Sequence, residues 1–339
     1  MMRKFAIAGL SACAIVAGMW GTAATAEEYY KGKKITMIVG YAAGGGFDFF
    51  ARLVARYYGQ YIPGNPTIVV QNMPGASSVK AANFLYNVAR KDGTMIAALG
   101  STMALNKLLG RPAKYNPEKL FWIGRIAAGD SVGIVWHTAS VKTMKDAMTK
   151  QLIWATGSPM GPTSMTGNAL NKLVGTKFKI IKGYKGSSPM LAAMERGEVE
   201  GTAIGWAALS KRKAHLLRDK KVSVFYLMGY ERDPALPNVP TLIEIAKTPE
   251  AKKIFRLLSS SEVIGRNYSA PPGLSVAAGK ALRVGFNRMV KDKAFLDDLK
   301  KRDIPITPMG GADLQKVVEE VMATDAALAE RLKWATSPN

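Results

Sequence analysis

The chain has 339 residues, of which 48% are hydrophobic and 21% are charged, and its formal net charge is +22. This composition excludes an intrinsically disordered protein and leaves room for two domains of ordinary size. A strong positive charge can indicate nucleic-acid binding, but the Lys and Arg residues are scattered, with no long basic run and no aromatic residues interleaved for base stacking. We therefore expect a basic solvated surface and no nucleic-acid partner. Such a surface raises the encounter rate with anions without selecting among them.

The first segment has the pattern of a secretory signal peptide. Residues 1–4 are short and basic, residues 5–21 are apolar or small, and Ala24-Thr25-Ala26 forms a small-x-small cleavage site. We expect cleavage after Ala26. A transmembrane anchor and a lipoprotein signal around Cys13 are the alternatives, and for both the apolar run is too short.

Cleavage after Ala26 removes Cys13, the only cysteine of the sequence. The mature chain then has no thiol for disulfides, metal ligation or nucleophilic catalysis. Export without cysteine suits a bacterial periplasm, and no later segment offers the ~18 uninterrupted apolar residues of a membrane span. The predicted location is the periplasm, with the mature protein free in solution.

Short apolar runs alternate with amphipathic stretches from Lys34 onward. Three runs are typical of buried parallel strands, and helical periodicity lies between them. The predicted strands are 35–40, 67–71 and 94–99, and the predicted helices are 47–61 and 76–90. This βαβαβ order predicts an α/β fold with a right-handed parallel sheet.

The pattern repeats further along the chain and predicts a second α/β domain. Its strands are expected at 132–137, 152–156, 178–184 and 199–205, and its helices at 143–150, 164–174, 187–196 and 206–218. Strand-like runs at 222–229 and 260–265 and three amphipathic segments between Ser275 and Trp334 follow. We expect these to return to the first domain, which gives lobe one as 27–129 with 227–339 and lobe two as 130–226. Two crossings between lobes permit hinge closure over a ligand.

The junction between the first strand and the first helix contains three consecutive glycines, Gly44, Gly45 and Gly46. Glycine lets the backbone approach a ligand and leaves amides uncovered, and helix N-termini attract anions. Ligands of open α/β sheets lie at this edge. An anion site is favoured over a tight turn, for which one glycine usually suffices. Two interpretations of Asp48 stay open: a ligand contact, or a first-turn acid paired with Arg52 at i+4.

Three more strand-to-helix loops are rich in Gly, Ser and Thr. They contain Gly100, Ser101 and Thr102; Gly157, Ser158 and Gly161, with Thr163 or Ser164 as the helix N-cap; and Gly186, Ser187 and Ser188. Four such loops, two per domain, predict a cleft lined by amides and hydroxyls. A few hydrogen bonds to a charged group at ~1.5–3 kcal/mol each suffice for a micromolar complex without a buried Arg.

The sequence offers little for catalysis. The only imidazoles are His137, which ends an apolar strand, and His215, which lies in a basic helical stretch. No cluster of metal ligands, no G-x-S-x-G and no P-loop is present, and Phe47 breaks the spacing of a dinucleotide loop. We predict no catalytic residue, no metal and no cofactor.

The motifs together resemble the solute-binding receptors of the tripartite tricarboxylate transporter family, also called Bug receptors. The resemblance rests on the triple glycine with Asp48, the segments 72–76 and 92–94, and the later stretches GYKGSSPMLAAMERGEVE and RDPALPNVPTLIE. It covers nearly the whole mature chain. It implies a type II periplasmic-binding-protein fold, with two α/β lobes closing on a small organic acid, and delivery of that acid to the large and small membrane subunits of a permease. A monomer is expected.

Carried over by position, the ligand loops implied by this resemblance are Tyr41 to Asp48, Gly100 to Thr102, Gly157 to Ser164 and Gly186 to Ser188. The chain departs from the family pattern at Ala43 and Phe47, which flank the glycines, and it has no acid near Trp206 to receive an ammonium group. Our hypothesis is a carboxylate without an amino group, packed against Tyr41, Phe47 or Trp206. A role of Phe47 and Trp206 as core residues stays open.

Two other functions also stay open. A periplasmic enzyme would use the glycine loops for a phosphate or nucleotide. A sensory receptor of the same fold would present its ligand to a signalling partner.

Overall fold

The computed structural model describes residues 29–129, 131–157, 159, 161–184 and 186–338. The predicted signal peptide, residues 1–26, and the predicted ligand residue Ser158 lie outside this part of the chain. The described strands form one sheet of six strands and one of five. The predicted α/β architecture built on two sheets is therefore confirmed.

The strand limits agree closely with the apolar runs of the sequence. The described strands are β1 (Lys34–Val39), β2 (Thr67–Asn72), β3 (Met95–Ala98), β4 (Phe121–Arg125), β5 (Ser131–Trp136), β6 (Gln151–Ala155), β7 (Lys177–Ile181), β8 (Gly201–Gly205), β9 (Val222–Leu227), β10 (Asn267–Ala270) and β11 (Met309–Gly310). β1 is mostly apolar because both of its faces are covered: Ile35, Met37 and Val39 are buried on one side and Ile38 on the other.

The first sheet has the order β11-β4-β10-β3-β1-β2. β1 pairs in parallel with β2 and with β3, which confirms the predicted βαβαβ unit. β10 is antiparallel to β3 and lies between β3 and β4. Because of this direction, β10 begins at the edge of the sheet where β1 and β3 end.

The second sheet has the order β7-β6-β8-β5-β9. β6 is parallel to β7 and to β8, while β5 is antiparallel to β8 and β9. The loops that follow β6, β7 and β8 therefore leave the sheet at one edge.

The helices connect these strands and cover the sheets. They are α1 (Gly46–Tyr58), α2 (Val79–Asn87), α3 (Met103–Leu108), α4 (Met144–Thr149), α5 (Pro162–Val174), α6 (Ser187–Glu195), α7 (Ala214–Arg218), α8 (Leu242–Ile245), α9 (Pro249–Ile264), α10 (Val276–Met289), α11 (Lys293–Lys301), α12 (Gly311–Met322) and α13 (Ala326–Thr336). In α1 the apolar stripe buries Leu53, Val54 and Tyr58, and Arg52 and Arg56 face solvent. Among the described residues, no helix combines the length and the apolar character needed to cross a bilayer.

Several parts of the sequence-based assignment are wrong. The predicted strand at 260–265 belongs to α9, which Thr248 caps by accepting from the Ala251 amide. Its serines are tolerated inside a helix because their hydroxyls donate to carbonyls one turn back, as Ser260 does to Leu257. β4, β10 and β11 were not predicted as strands, and the segment after Ser275 holds four helices instead of three. The run 222–229, which we expected to return to the first domain, forms β9 beside β5 in the second sheet.

The chain passes from the first sheet to the second between β4 and β5 and returns after β9. The C-terminal helix α13 then packs against α5, which follows a strand of the second sheet. The Asn168 amide donates to the Thr336 carbonyl at 2.9 Å, and the Lys172 Nζ donates to the Trp334 carbonyl at 2.7 Å. The C-terminal segment thus links elements of both sheets, and the sequence-based lobe limits stay predictions.

Candidate functional site

Three segments of the first sheet meet at one edge. Val39 of β1 pairs with Ala98 of β3, and Ala97 of β3 pairs with Ser269 of β10. The segments just beyond, which contain Tyr41, Gly100 and Arg266, are therefore at the same level of the sheet. The contact is direct, since the Tyr41 hydroxyl lies 2.7 Å from the position that a Cβ on Gly100 would take. We call residues 41–48, 100–102 and Arg266 the first loop cluster.

The triple glycine forms the start of α1. Gly44 has a φ of +81°, a conformation that favours glycine, and Gly45 is the extended N-cap residue without a side-chain cap. Within the described part of the chain, the amides of Gly46 and Phe47 have no hydrogen-bond acceptor. A Cβ on Gly46 would lie 3.9 Å from the Arg266 Nη2, so the start of the helix and this guanidinium border the same space.

Asp48 is a brace of the glycine loop. Its carboxylate accepts from the Gly44 amide at 2.9 Å, from the Arg52 Nε at 3.0 Å and from the Asn72 Nδ2 at 2.8 Å. These contacts, with the Arg52 hydrogen bond the largest, lower the pKa of Asp48 to about 2. The structure thus shows the ion pair with Arg52 that the i+4 spacing predicts. It also shows that the Gly44 amide, a predicted ligand donor, is already used within the loop.

Tyr41 and Phe47 stack on each other beside the loop. Their ring centroids are 4.5 Å apart at 21°, and the Arg266 guanidinium lies 4.4 Å from the Phe47 centroid. Burial raises the pKa of the Tyr41 hydroxyl, and the positive charge of Arg266 acts in the opposite direction. The Phe47 ring therefore contacts both the Tyr41 ring and the Arg266 guanidinium.

A strained turn fixes the second loop of this cluster. Ala76, Ser77 and Ser78 all have positive φ values, of 46°, 51° and 78°, a rare conformation for residues with a side chain. The buried Ser78 hydroxyl accepts from the Gly100 amide at 2.9 Å, and a Cβ on Gly40 would lie 1.8 Å from the same oxygen. The Gly100 amide is therefore also used internally, which the sequence did not indicate.

Ser101 and Thr102 complete the first loop cluster. Thr102 is the N-cap position of α3, but its side chain accepts no cap hydrogen bond. Thr102 is buried and Ser101 is half-buried.

The loops of the second sheet form the second loop cluster, defined by the residues predicted there. Gly157 after β6 accepts from the Gly183 amide after β7 at 2.9 Å, which places these two loops side by side. Trp206 follows β8 and packs, half-buried, on the core of this sheet. The remaining members are Gly161, Thr163, Ser164, Gly186, Ser187 and Ser188.

The helix starts of the second loop cluster differ in one respect from the prediction. Neither Thr163 nor Ser164 caps α5, because Gly161 is the N-cap residue and Pro162 occupies the first helical position. Ser164 is instead buried in the first turn of the helix. α6 begins after Gly186, which has a φ of +108°, and Ser187 and Ser188 lie in its first turn. Both helices start without a side-chain cap and without an acidic residue in the first turn.

Arg111 connects the elements that start in the two clusters. It follows α3, and its Nη2 lies 3.4 Å from the Met165 Sδ in the first turn of α5. Burial lowers the pKa of this guanidinium. The start of α5 is therefore close to the segment after α3, which connects strands β3 and β4 of the first sheet.

Arg266 is the functional candidate that sequence reasoning missed. It precedes β10, and its backbone pairs with Ile126 and Ala127 at the end of β4. The available signal was the position of a basic residue just before a short β-prone run, NYSA, but only the antiparallel pairing of that run places it at the ligand edge. No metal site accompanies it: among the described residues no three His, Cys, Asp or Glu side chains cluster for an ion. His137 and His215 are exposed and lie outside both clusters.

The fold matches a class of solute-binding proteins. A TctC solute-binding protein from Polaromonas superposes with a TM-score of 0.67 at 19% identity, covering 89% of this chain and 99% of that one. MatC of Rhodopseudomonas palustris, solved with bound malate, gives 0.62 at 19% identity over 90% and 99% of the two chains. Rpa4515 of R. palustris, solved with adipate, gives 0.63 at 22% identity over 88% and 97%.

The sequence defines the family. Residues 52–333 match the sequence profile of the tripartite tricarboxylate transporter family receptor, and the chain belongs to that family. A UPF0065 protein of the gbd 5′ region of Cupriavidus necator is 26% identical and aligns over 99% of both chains. The fold and family that the motifs indicated are thereby confirmed.

Proposed function

We propose that the protein is a periplasmic solute-binding receptor that captures a small organic acid and passes it to the large and small membrane subunits of a permease. The observation that carries this proposal is the first loop cluster. There, acceptor-free amides at the start of α1 border the Arg266 guanidinium. Both features attract an anion, through unpaired N–H groups and through positive charge.

A carboxylate fits this place in charge. The negative charge of Asp48 is neutralised within the loop by Arg52, so the loop does not repel a second anion. Two proteins of the same fold have been solved with organic acids, adipate in Rpa4515 and malate in MatC. We infer that the ligand here is also a small carboxylate.

The second loop cluster would supply the other half of the site. Its helices α5 and α6 begin at glycines, without side-chain caps or first-turn acids. We propose that lobe one comprises 27–129 and 227–339, that lobe two comprises 130–226, and that the lobes close on the ligand about the two crossings. Among the described residues of the second loop cluster, we propose Thr163, Ser187 and Ser188 as hydroxyl donors to the ligand.

We further propose that the protein acts as a monomer, without a cofactor and without chemical conversion of the ligand. Export with cleavage after Ala26 belongs to the same proposal. The alternative functions are a periplasmic enzyme that binds a phosphate or nucleotide and a sensory receptor. Turnover of a phosphorylated compound by the pure protein would support the enzyme. Genes for the two permease subunits beside this one would support transport over sensing.

The test is a thermal-shift screen of the mature protein with mono-, di- and tricarboxylates, including aromatic acids, each paired with its uncharged amide. A ligand that binds only the folded state at 100 times its Kd adds about 2.7 kcal/mol, a shift of several degrees. We expect at least one acid to raise Tm and its amide to leave Tm unchanged. If no acid raises Tm, or if acids and amides act equally, the proposed function is wrong.

A further inference from the structure

Arg266 differs from the other arginines that lie on aromatic rings. In the described part of the chain, guanidiniums also lie over Tyr230, Phe121 and Trp334, at 4.0–4.4 Å from the ring centroids. Each of these three has its own acceptor: Arg256 pairs with Glu320, Arg283 donates to the Trp122 carbonyl, and Arg331 pairs with Glu250.

The Arg266 guanidinium has the same stacking and no such acceptor. Among the described residues, no carboxylate forms an ion pair with it and no carbonyl accepts from it. The nearest acid of the loop, Asp48, is committed to Arg52 and Asn72. A half-buried cation beside the positive end of a helix is unfavourable without a counter-charge.

We propose that Arg266 is a specificity-determining residue, which binds a ligand carboxylate side-on while the Phe47 ring positions its guanidinium. This inference rests on the proposed function, because it names how the same site selects its ligand. The Phe47 ring lies 4.4 Å from the guanidinium carbon, and the paired N–H groups on the edge of a guanidinium match the two oxygens of a carboxylate. The Gly46 side of the loop is the open side, because among the described residues the Arg266 Nη2, at 3.9 Å, is the one atom beyond the local backbone within 4 Å of the position of a Gly46 Cβ.

The same geometry disfavours amino acids. An ammonium group next to the bound carboxylate would lie near the guanidinium, and Asp48, braced by its own partners, does not compensate for it. The ligand class is therefore a small organic acid without an amino group beside the carboxylate that Arg266 binds. Malate and aspartate form a suitable pair of probes, because malate has a hydroxyl where aspartate has an ammonium group.

The experiment compares R266Q with R256Q, since Arg256 is also stacked on a ring but has its own partner. The probes are sodium acetate, malate, adipate and aspartate, each measured by thermal shift and titration calorimetry against sodium chloride of equal ionic strength. We expect R266Q to weaken carboxylate binding about 10- to 100-fold, and R256Q to stay within about twofold of wild type. R266K and F47L should be intermediate, because the first keeps the charge without the planar fork and the second keeps the fork without its platform.

Salt dependence separates ligand binding from a structural role. Wild-type affinity should fall as sodium chloride rises from about 50 to 500 mM, and that of R266Q should change less. Aspartate should bind wild type more weakly than malate does. If R266Q does not fold, R266K provides the test. A fivefold or larger loss of carboxylate affinity in R266K, with the salt dependence of wild type, supports the inference. If wild type binds carboxylates and R266Q or R266K binds them equally well, the inference is overturned. If wild type binds none of them, the proposed function fails first and the inference with it.

Discussion

The most quantitative prediction concerns the ion pair that organises the glycine loop. Asp48 is almost fully buried, with 5% of its side chain exposed, and its pKa falls from 3.8 to about 2. At 1.36 kcal/mol per pKa unit this difference corresponds to about 2 kcal/mol of stability at neutral pH. Because 51% of the Arg52 side chain is in water, screening reduces the value. We expect D48N, which keeps the shape of the side chain, to lose about 1–2 kcal/mol at pH 7.

The sign of the pH dependence follows from the lowered pKa. The folded state keeps Asp48 ionised to lower pH than the unfolded state does, so the stabilisation is complete above about pH 5 and is lost as the pH falls through 3.8 towards 2. The deficit of D48N relative to wild type should therefore shrink to about half near pH 3. Urea unfolding at pH 7 and at pH 3 measures both values.

Asp297 provides the matched control for this prediction. It pairs with Lys293 at the same sequence spacing, but 49% of its side chain and 88% of that of Lys293 are exposed. D297N should change the free energy of unfolding by no more than about 0.5 kcal/mol. If D48N is as stable as wild type at pH 7, or if its deficit is the same at pH 3, the ion pair does not brace the loop as argued.

Two further predictions test the packing around the site. S78A removes the hydroxyl that accepts from the buried Gly100 amide at 2.9 Å, and urea unfolding should show a loss of about 1–3 kcal/mol in stability. The control S77A, at the exposed neighbouring residue, should change stability by less than about 0.5 kcal/mol. Equal effects of the two substitutions would show that the Ser78 hydroxyl does not have this role. N168A should free the C-terminal helix, because the Thr336 carbonyl loses its donor, and limited proteolysis should then cut α13 first; an unchanged digestion pattern would show that this bond does not secure the helix.

The part of the site that the sequence predicts is the part formed by neighbouring residues. The change from an apolar run to helical spacing locates the end of β1 and the start of α1, and the glycines between them show where the backbone is left open. The i+4 spacing likewise places Arg52 beside Asp48. Such features depend on local geometry, which a single sequence contains.

The remaining part depends on pairing between distant segments. Arg266 reaches the first loop cluster only because β10 returns between β3 and β4 in the antiparallel direction. Ser78 reaches Gly100 only through a turn of left-handed residues that local preferences disfavour. Propensities and motifs do not determine either arrangement, since tertiary contacts impose both.

The overall charge of the chain and the single charge of Arg266 have different roles in the proposed site. The chain carries a formal charge of +22, which concentrates anions near the surface but is screened beyond a Debye length of about 8 Å. Selection needs a charge whose partner is missing and whose position is fixed. Asp48 and Arg52 neutralise each other beside the glycine loop, so among the described residues of the first loop cluster the unpaired charge is that of Arg266. In the proposed receptor, the dispersed lysines and arginines attract anions of every kind, and the Arg266 guanidinium selects among them.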